Sequence, residues 1–416
     1  MSDRFNFDAP VERSGTDSEK WAKYTGRDIL PLWVADMDFA APPAIIDALQ
    51  SRIAHGVFGY NQPTLSQTQA VVDYLARQFG YAIDPAWIVW LPGLVSGLNV
   101  ACRTVGETGD AVFTATPIYP PFLSAPKNAG RSLVTVPLVQ GENRWAWDFD
   151  AVEASLQKTK PKLFLLCHPH NPTGRAWDDD ELRQIARLAE KHDLVICSDE
   201  IHNGLILSPS CHPLPRGDLP AKREFQVGKA ERPLPNRPVA QWLQQHRLFA
   251  SLDGELAQRT ITLMAPSKTF NIPGLGAAFA IIANPALRKQ FIHAMTGIVP
   301  HTHLLGMVAL EAAFTKCDPW HQALLDYLRG NAEKVFATVN KISGLHMHRV
   351  EATYLAWIDA REFAQARGIE SLAKHFESHG LGLSDGVAFG APGFVRLNFG
   401  TQRNLLETAL ERLAAS

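Results

Sequence analysis

The sequence predicts an α/β protein of three layers, a mostly parallel sheet flanked by helices, with a smaller α+β domain beside it. Three observations carry that prediction. From Trp87 onward, short continuous apolar runs recur at residues 88–91, 111–115, 132–136, 162–167, 194–198, 261–264 and 277–283, and strands apolar on both faces belong inside a covered parallel sheet. Helices separate several of them. The clearest opens at Asp178-Asp179-Asp180-Glu181, an N-cap with an acidic first turn, followed by Leu182, Ile185, Leu188 and Ala189 on one face. Finally, 416 residues of which 46% are hydrophobic and 20% charged suffice for a large core and two domains.

The elements follow in order. Residues 1–45 mix aromatic and apolar residues with turn formers, including Leu32-Trp33-Val34-Ala35-Asp36-Met37-Asp38-Phe39, and read as an arm that packs on another part of the chain. Pro42-Pro43 opens a helix over about 44–53. Gly56-Val57-Phe58-Gly59-Tyr60 is a loop with an aromatic tip, and Val71, Val72, Leu75 and Phe79 recur at helical spacing within 65–79. The alternating strands and helices come next. Between two of the strands, residues 209–238 hold seven prolines among many charges and read as an irregular surface excursion. From about 287 a long helical stretch leads to Tyr354-Leu355-Ala356-Trp357-Ile358, to Phe394-Val395-Arg396-Leu397-Asn398-Phe399, and to an amphipathic helix bearing Leu405, Leu406, Leu410 and Leu413. The division that results is a large domain over 46–286, with a proline-rich insertion at about 209–240, and a small domain made of 1–45 and 287–416.

Composition excludes several function classes. A net charge of −2 and a pI near 6.7 give no global attraction to nucleic acid or to an anionic membrane. The start of the chain lacks the apolar core of a signal peptide, and no apolar run is long enough to span a bilayer, so a cytoplasmic protein is expected. Five scattered cysteines without a C-x-x-C pair suit reduced thiols, with Cys102, Cys167 and Cys197 placed in the core by their apolar surroundings. Two alternating histidine pairs, His168/His170 and His301/His303, lack a third ligand, and no metal is expected.

Ligands of such sheets sit beyond the carboxyl ends of the strands, and there the polar motifs fall. Ala265-Pro266-Ser267-Lys268-Thr269-Phe270-Asn271 follows the run 261–264; a lone lysine is usually a solvated one, and only the rest of the constellation argues otherwise. Pro92-Gly93-Leu94-Val95-Ser96-Gly97 follows a strand and opens a helix, offering free N–H groups to a phosphate, although glycines at such turns are also common for steric reasons. His168-Pro169-His170-Asn171-Pro172-Thr173-Gly174 is by composition a turn; alternatively, Asn171 presents an amide to a phenolic oxygen, with Pro172 fixing its aim. Ser198-Asp199-Glu200-Ile201-His202 closes a strand with two acids, which either cap or hold a pyridinium nitrogen protonated. Arg396, inside an apolar run, requires an anion: an internal carboxylate or a substrate's.

The ordered set of a glycine-rich turn, Pro117-Ile118-Tyr119, Asn171-Pro172, Asp199 with His202, Ser267-Lys268 and Arg396 resembles the fold-type I pyridoxal phosphate enzymes of the aspartate aminotransferase superfamily, over roughly residues 32–416. Trp33-Val34-Ala35-Asp36-Met37-Asp38-Phe39, His55-Gly56-Val57-Phe58-Gly59-Tyr60, Ser198-Asp199-Glu200-Ile201-His202 and Ser267-Lys268-Thr269-Phe270-Asn271 are similar to the bacterial cystathionine β-lyase branch, the carbon–sulfur β-lyases. The resemblance implies that Lys268 is the Schiff-base lysine and the catalytic base, that Asp199 pairs with the pyridine nitrogen, that Asn171 and His202 flank the phenolic oxygen, and that Tyr119, also catalytic, stacks on the ring. It implies a phosphate held by the backbone at Leu94 and Val95 and by Ser267, with Tyr60 arriving from the partner of a homodimer, and a substrate carboxylate forked by Arg396. Two positions depart from the superfamily pattern. Ala265 stands where many relatives have serine, and Gly276 where they have a basic residue, which makes phosphate anchoring less complete than ring anchoring. The expected activity is β-elimination of L-cystathionine or related L-cysteine S-conjugates; an aminotransferase uses the same residues, and a regulatory binding protein on this scaffold is a third possibility.

Overall fold

The computed structural model describes residues 5–208 and 246–416. The proline-rich segment foreseen at 209–240, with Cys211, lies outside the described residues. Seven strands form the central sheet: β1 (Ile88–Leu91), β2 (Ala111–Thr116), β3 (Ser132–Pro137), β4 (Leu163–Cys167), β5 (Val195–Asp199), β6 (Thr260–Met264) and β7 (Ala278–Ile281). Their order is β1-β7-β6-β5-β4-β2-β3. Only β7 runs against its neighbours, β1 and β6; the remaining pairs are parallel.

The unbroken apolar runs have a direct explanation in this sheet. Side chains alternate between faces along a strand, and both faces are covered. Ile261 and Leu263 of β6, with Ala278 and Ala280 of β7, join a core with Leu98 and Ala101 of the helix Leu94–Thr104, Phe122 of the helix Pro120–Asn128 and Phe291 of the helix Pro285–Met295. Met264, Phe279 and Ile281 point the other way, into a core with Val71 and Leu75 of Leu65–Phe79 and with Ala309 and Leu310 of Leu304–Lys316. Farther along the same face, Phe164 and Leu166 of β4 meet Leu182, Ile185 and Ala189 of the helix Asp179–Lys191. That last helix starts as its sequence predicts, Asp178 capping it and Glu181 returning the bond to the cap.

Strand limits follow the sequence closely, with one instructive difference. The run 277–283 is strand only over Ala278–Ile281, because Asn284 accepts from the N–H groups of Ala286 and Leu287 and starts a helix at Pro285. The stretch beyond it divides into Pro285–Met295, Leu304–Lys316 and Asp318–Val339. A second, antiparallel sheet follows, with β8 (Leu355–Asp359), β9 (Ser384–Asp385) and β10 (Phe394–Asn398) in the order β8-β10-β9. In its register Arg396 lies between Trp357 and Ser384. The N-terminal arm joins this region through Leu30–Pro31, which pairs in parallel with Leu381–Gly382. Cys102, Cys167, Cys197 and Cys317 are buried free thiols. Among the described residues no helix is long and apolar enough to cross a membrane.

Candidate active site

Parallel alignment places the carboxyl ends of β1, β4, β5 and β6 along one edge of the sheet, and the predicted residues gather there. Asp199 ends β5, in register with Cys167 at the end of β4. Its carboxylate is buried and accepts from the backbone N–H of Ile201 at 3.1 Å. Among the described residues no cation is paired with it. Burial pushes its pKa up to about 7, against the pull of the Ile201 amide and, more weakly, Lys268.

Lys268 stands four residues beyond β6 and keeps part of its side chain open to the cleft. Its amine donates to the main-chain oxygen of Ala35 at 2.6 Å. Desolvation lowers its pKa to about 8, opposed by Asp36 and Asp199 and helped by Arg396. Asn171 comes four residues after β4, with a cis bond to Pro172. Its Oδ1 accepts from Arg396 Nη1 at 2.9 Å, which joins the first sheet to the second. Arg396 also donates through Nη2 to Trp33 O at 2.8 Å and Ser384 Oγ at 3.3 Å, and its guanidinium lies 4.8 Å from the ring centre of Phe389. Of the two anions the sequence allowed, the internal one is absent among the described residues: Arg396 is buried with no carboxylate on it, and its Nε has no partner. Its pKa falls to about 10, chiefly through burial.

Tyr119 caps the helix Pro120–Asn128, and its N–H donates to Asn171 O at 3.1 Å, so the two predicted ring contacts are held by one hydrogen bond. Burial and then Asp199 raise its phenol above the ordinary range. His202 is buried, with Nδ1 lacking a hydrogen-bond partner, and desolvation brings its pKa to about 3, so the ring is neutral.

At the same edge, Leu94 begins its helix behind Gly93, and no side chain caps that end. The helix rides close on β6, since a Cβ at Gly97 would lie 2.9 Å from a methyl of Leu263. Gly276 approaches the same turn, its φ of +59° and the Pro92 carbonyl, 3.3 Å from where a Cβ would stand, both favouring glycine. Leu94 is buried and Val95 exposed, while Ser267 is half-buried beside the lysine. Tyr60 is the one predicted residue that this chain does not bring in: it is fully exposed, on the loop before the helix Leu65–Phe79.

The sequence alone does not disclose the roles of residues 33–39. They form a strap across the cleft, with Trp33 O on Arg396 and Ala35 O on Lys268, and the Tyr354 hydroxyl donates to the same Ala35 oxygen at 2.9 Å. Asn398 Nδ2 holds the strap at Val34 O and Asp36 O, at 2.7 and 2.6 Å, while Asn271 bonds to Met37 and Phe39. Backbone carbonyls carry no residue signature; only the two asparagines, each at the edge of a singled-out run, signal the contact.

A family model described as aminotransferase class I and II matches residues 27–413. The chain belongs to the aminotransferase class I and II family. Within and around that family, it is 33% identical to cystathionine beta-lyase PatB of Bacillus subtilis (strain 168), with 99% of each chain covered. Its fold is similar to the crystal structure of OvoB, at a TM-score of 0.87 and 44% identity over 99% of this chain and 98% of that one. It is also similar to cystalysin from Treponema denticola, whose structure contains pyridoxal 5'-phosphate, at a TM-score of 0.84 and 30% identity over 99% and 98% of the two chains. The unsatisfied groups of this class I and II family member fit such a cofactor. Among the described residues Asp199 has no cation paired with it and His202 Nδ1 and Arg396 Nε have no partners, and an uncapped helix end faces the edge where Lys268 stands.

Proposed function

We propose that the chain is a pyridoxal 5'-phosphate-dependent carbon–sulfur lyase that cleaves L-cystathionine or a related L-cysteine S-conjugate, taking up water and releasing a thiol, pyruvate and ammonia. The observation that carries this reading is the convergence of a lysine amine of lowered pKa, a buried carboxylate without a cation and a buried guanidinium without a carboxylate. When bound, the cofactor supplies an electron sink for the charge that develops at the substrate Cα.

The residues divide the remaining work. Lys268 would hold the cofactor and, as a free amine, take the substrate Cα proton; a pKa of about 8 leaves a usable fraction neutral at physiological pH. Asp199 would keep the ring nitrogen protonated. Asn171 and the neutral His202 would hold the phenolic oxygen, and Tyr119, its phenol still protonated, would cover the ring. Arg396, aimed by Asn171, Trp33 O and Ser384, takes the substrate carboxylate in a two-pronged contact. The Leu94 and Val95 amides with Ser267 hold the phosphate, and because Ala265 and Gly276 add no polar group, Tyr60 of a second copy completes that end. The working unit is therefore a homodimer. We assign the cofactor to a domain over 46–286 and the closing wall to 1–45 with 287–416, and place the protein in the cytoplasm.

The test is the visible spectrum of the purified protein, followed by L-cystathionine with pyruvate detection and no keto acid. A band near 420 nm, a guide value on the order expected for this cofactor on a lysine, with catalytic pyruvate that Lys268→Ala abolishes, is the expected result. A band with amino transfer only after a keto acid is added identifies an aminotransferase instead, and no band after added cofactor ends the enzyme reading.

A further inference from the structure

Two cations of the N-terminal arm approach the site and have no part in the chemistry above. Arg13 sets Nη2 at 2.8 Å from Asp36 Oδ2 and Nη1 at 2.8 Å from Asp38 Oδ1, and also donates to Met37 O at 3.2 Å. Lys20, with no exposed surface, stands 2.7 Å from Asp38 Oδ2 and 3.8 Å from Asp36 Oδ1, and donates to the main-chain oxygen of Asp36 at 3.2 Å. Trp21 Nε1 adds a bond to Asp38 Oδ1 at 3.0 Å. The two acids are held unequally. Asp38 is buried and takes Lys20, Arg13 and Trp21, whereas the Asp36 side chain keeps 21% exposure and has its closest contact with Arg13. Asp36 also directly follows Ala35, whose oxygen receives the Lys268 amine. Its carboxylate is the largest charge favouring protonated Lys268, with Asp199 acting the same way more weakly and Arg396 against them.

We propose that Arg13 is a positioning residue for Lys268, fixing the strap through both aspartates and sharing the Asp36 carboxylate so that only part of its charge bears on the lysine nitrogen. The inference rests on the reading of Lys268 as the cofactor lysine. Facing that nitrogen are Asp36, Asp199 and Arg396, with the Tyr354 hydroxyl on the shared Ala35 oxygen and the neutral His202 behind; facing Asp36 are Arg13 and Lys20. Arg13 alone among them can be changed to alter the exposed acid while leaving Lys20 on the buried one.

The experiment is a pH titration of the visible absorption band of the cofactor-loaded full chain, for wild type, Arg13→Gln, Arg13→Lys, Asp36→Asn and the double variant R13Q/D36N. With Arg13→Gln the midpoint should move up, because an Asp36 relieved of its partner favours the protonated nitrogen. With Asp36→Asn it should move down. Arg13→Lys should return most of the way to wild type, and the double variant should stay close to Asp36→Asn, since the charge of Arg13 reaches the lysine through Asp36 while Lys20 and Trp21 keep Asp38 in place. A strut without electrostatic influence would lower melting temperature or cofactor affinity and leave the midpoint in place. A folded Arg13→Gln with an unmoved or lowered midpoint overturns the proposal; if that variant does not fold, an unmoved midpoint in Asp36→Asn does so. A wild type that shows no band at all overturns the cofactor reading instead, and so separates the two failures.

Discussion

Asp199 makes the sharpest prediction at the scale of the residue. Its carboxylate is buried with one backbone amide on it, and its folded pKa of about 7 stands far above the ordinary 3.8. A raised carboxyl pKa means that the folded protein binds the proton more tightly than the unfolded chain. The cost to the cofactor-free fold is therefore absent below about pH 4, grows between about 4 and 7, and is constant above. Asp199→Asn should raise the melting temperature of the cofactor-free protein at pH 8, by the equivalent of a few kcal/mol as an order of magnitude, with the gain shrinking as pH falls through that window. In the loaded protein the sign should reverse if Asp199 pairs with the ring nitrogen as proposed, because an amide cannot balance a protonated ring nitrogen. Melting curves with and without cofactor at several pH values check both statements. Residue identity alone made Asp199 visible as a carboxylate closing an apolar strand. Whether Arg396 had an internal partner was not visible there, since that depends on which chains pack across β10, and its three acceptors come from residues 33, 171 and 384.

The element that brings these residues together is the strap over 33–39, and Asn271 is its principal anchor. Asn271 accepts from Met37 N–H at 2.9 Å and donates to Met37 O at 2.9 Å and Phe39 O at 2.7 Å, from a backbone at φ +53°. Each bond is worth about 1 kcal/mol and the left-handed conformation about 1 more for a residue other than glycine or asparagine. Asn271→Ala should cost about 2–4 kcal/mol of stability and lower kcat/KM, whereas Asn271→Gly should recover only the conformational share of that loss. Denaturant midpoints with steady-state kinetics measure the two parts. The strands of the central sheet were legible because both their faces are covered, so that every residue from Leu163 to Cys167 is buried and a plain apolar run marks them. The strap was not. Its sequence stands out only as a motif, because what it contributes to the site is main-chain oxygen, and oxygen atoms of the backbone belong equally to every residue type.

At the scale of the molecule, several large apolar groups are left in water. Tyr60 and Leu65 are 107% and 92% exposed, with Val57, Phe58 and Ile298 more than half exposed. Asn61 ties the loop that carries the first of them to Thr302 O at 3.2 Å. Exposed apolar groups of this kind suit an association site, and the homodimer proposed above would supply the occupant, setting the exposed Tyr60 of one copy at the helix end at Leu94 that lacks a side-chain cap in the other. Two substitutions separate association from cofactor contact. In the proposed homodimer Phe58→Asp would bury a charge in the interface, so it should give a monomer in sedimentation and a lower cofactor affinity, each site then lacking the Tyr60 proposed to come from the second copy. Under the same proposal Tyr60→Phe should leave association unchanged and weaken cofactor binding by about tenfold, the usual worth of one hydrogen bond to a charged group. A Phe58→Asp protein that remains dimeric would place the interface elsewhere, and a Tyr60→Phe protein with unchanged affinity would leave the phosphate to the Leu94 helix end and Ser267 alone.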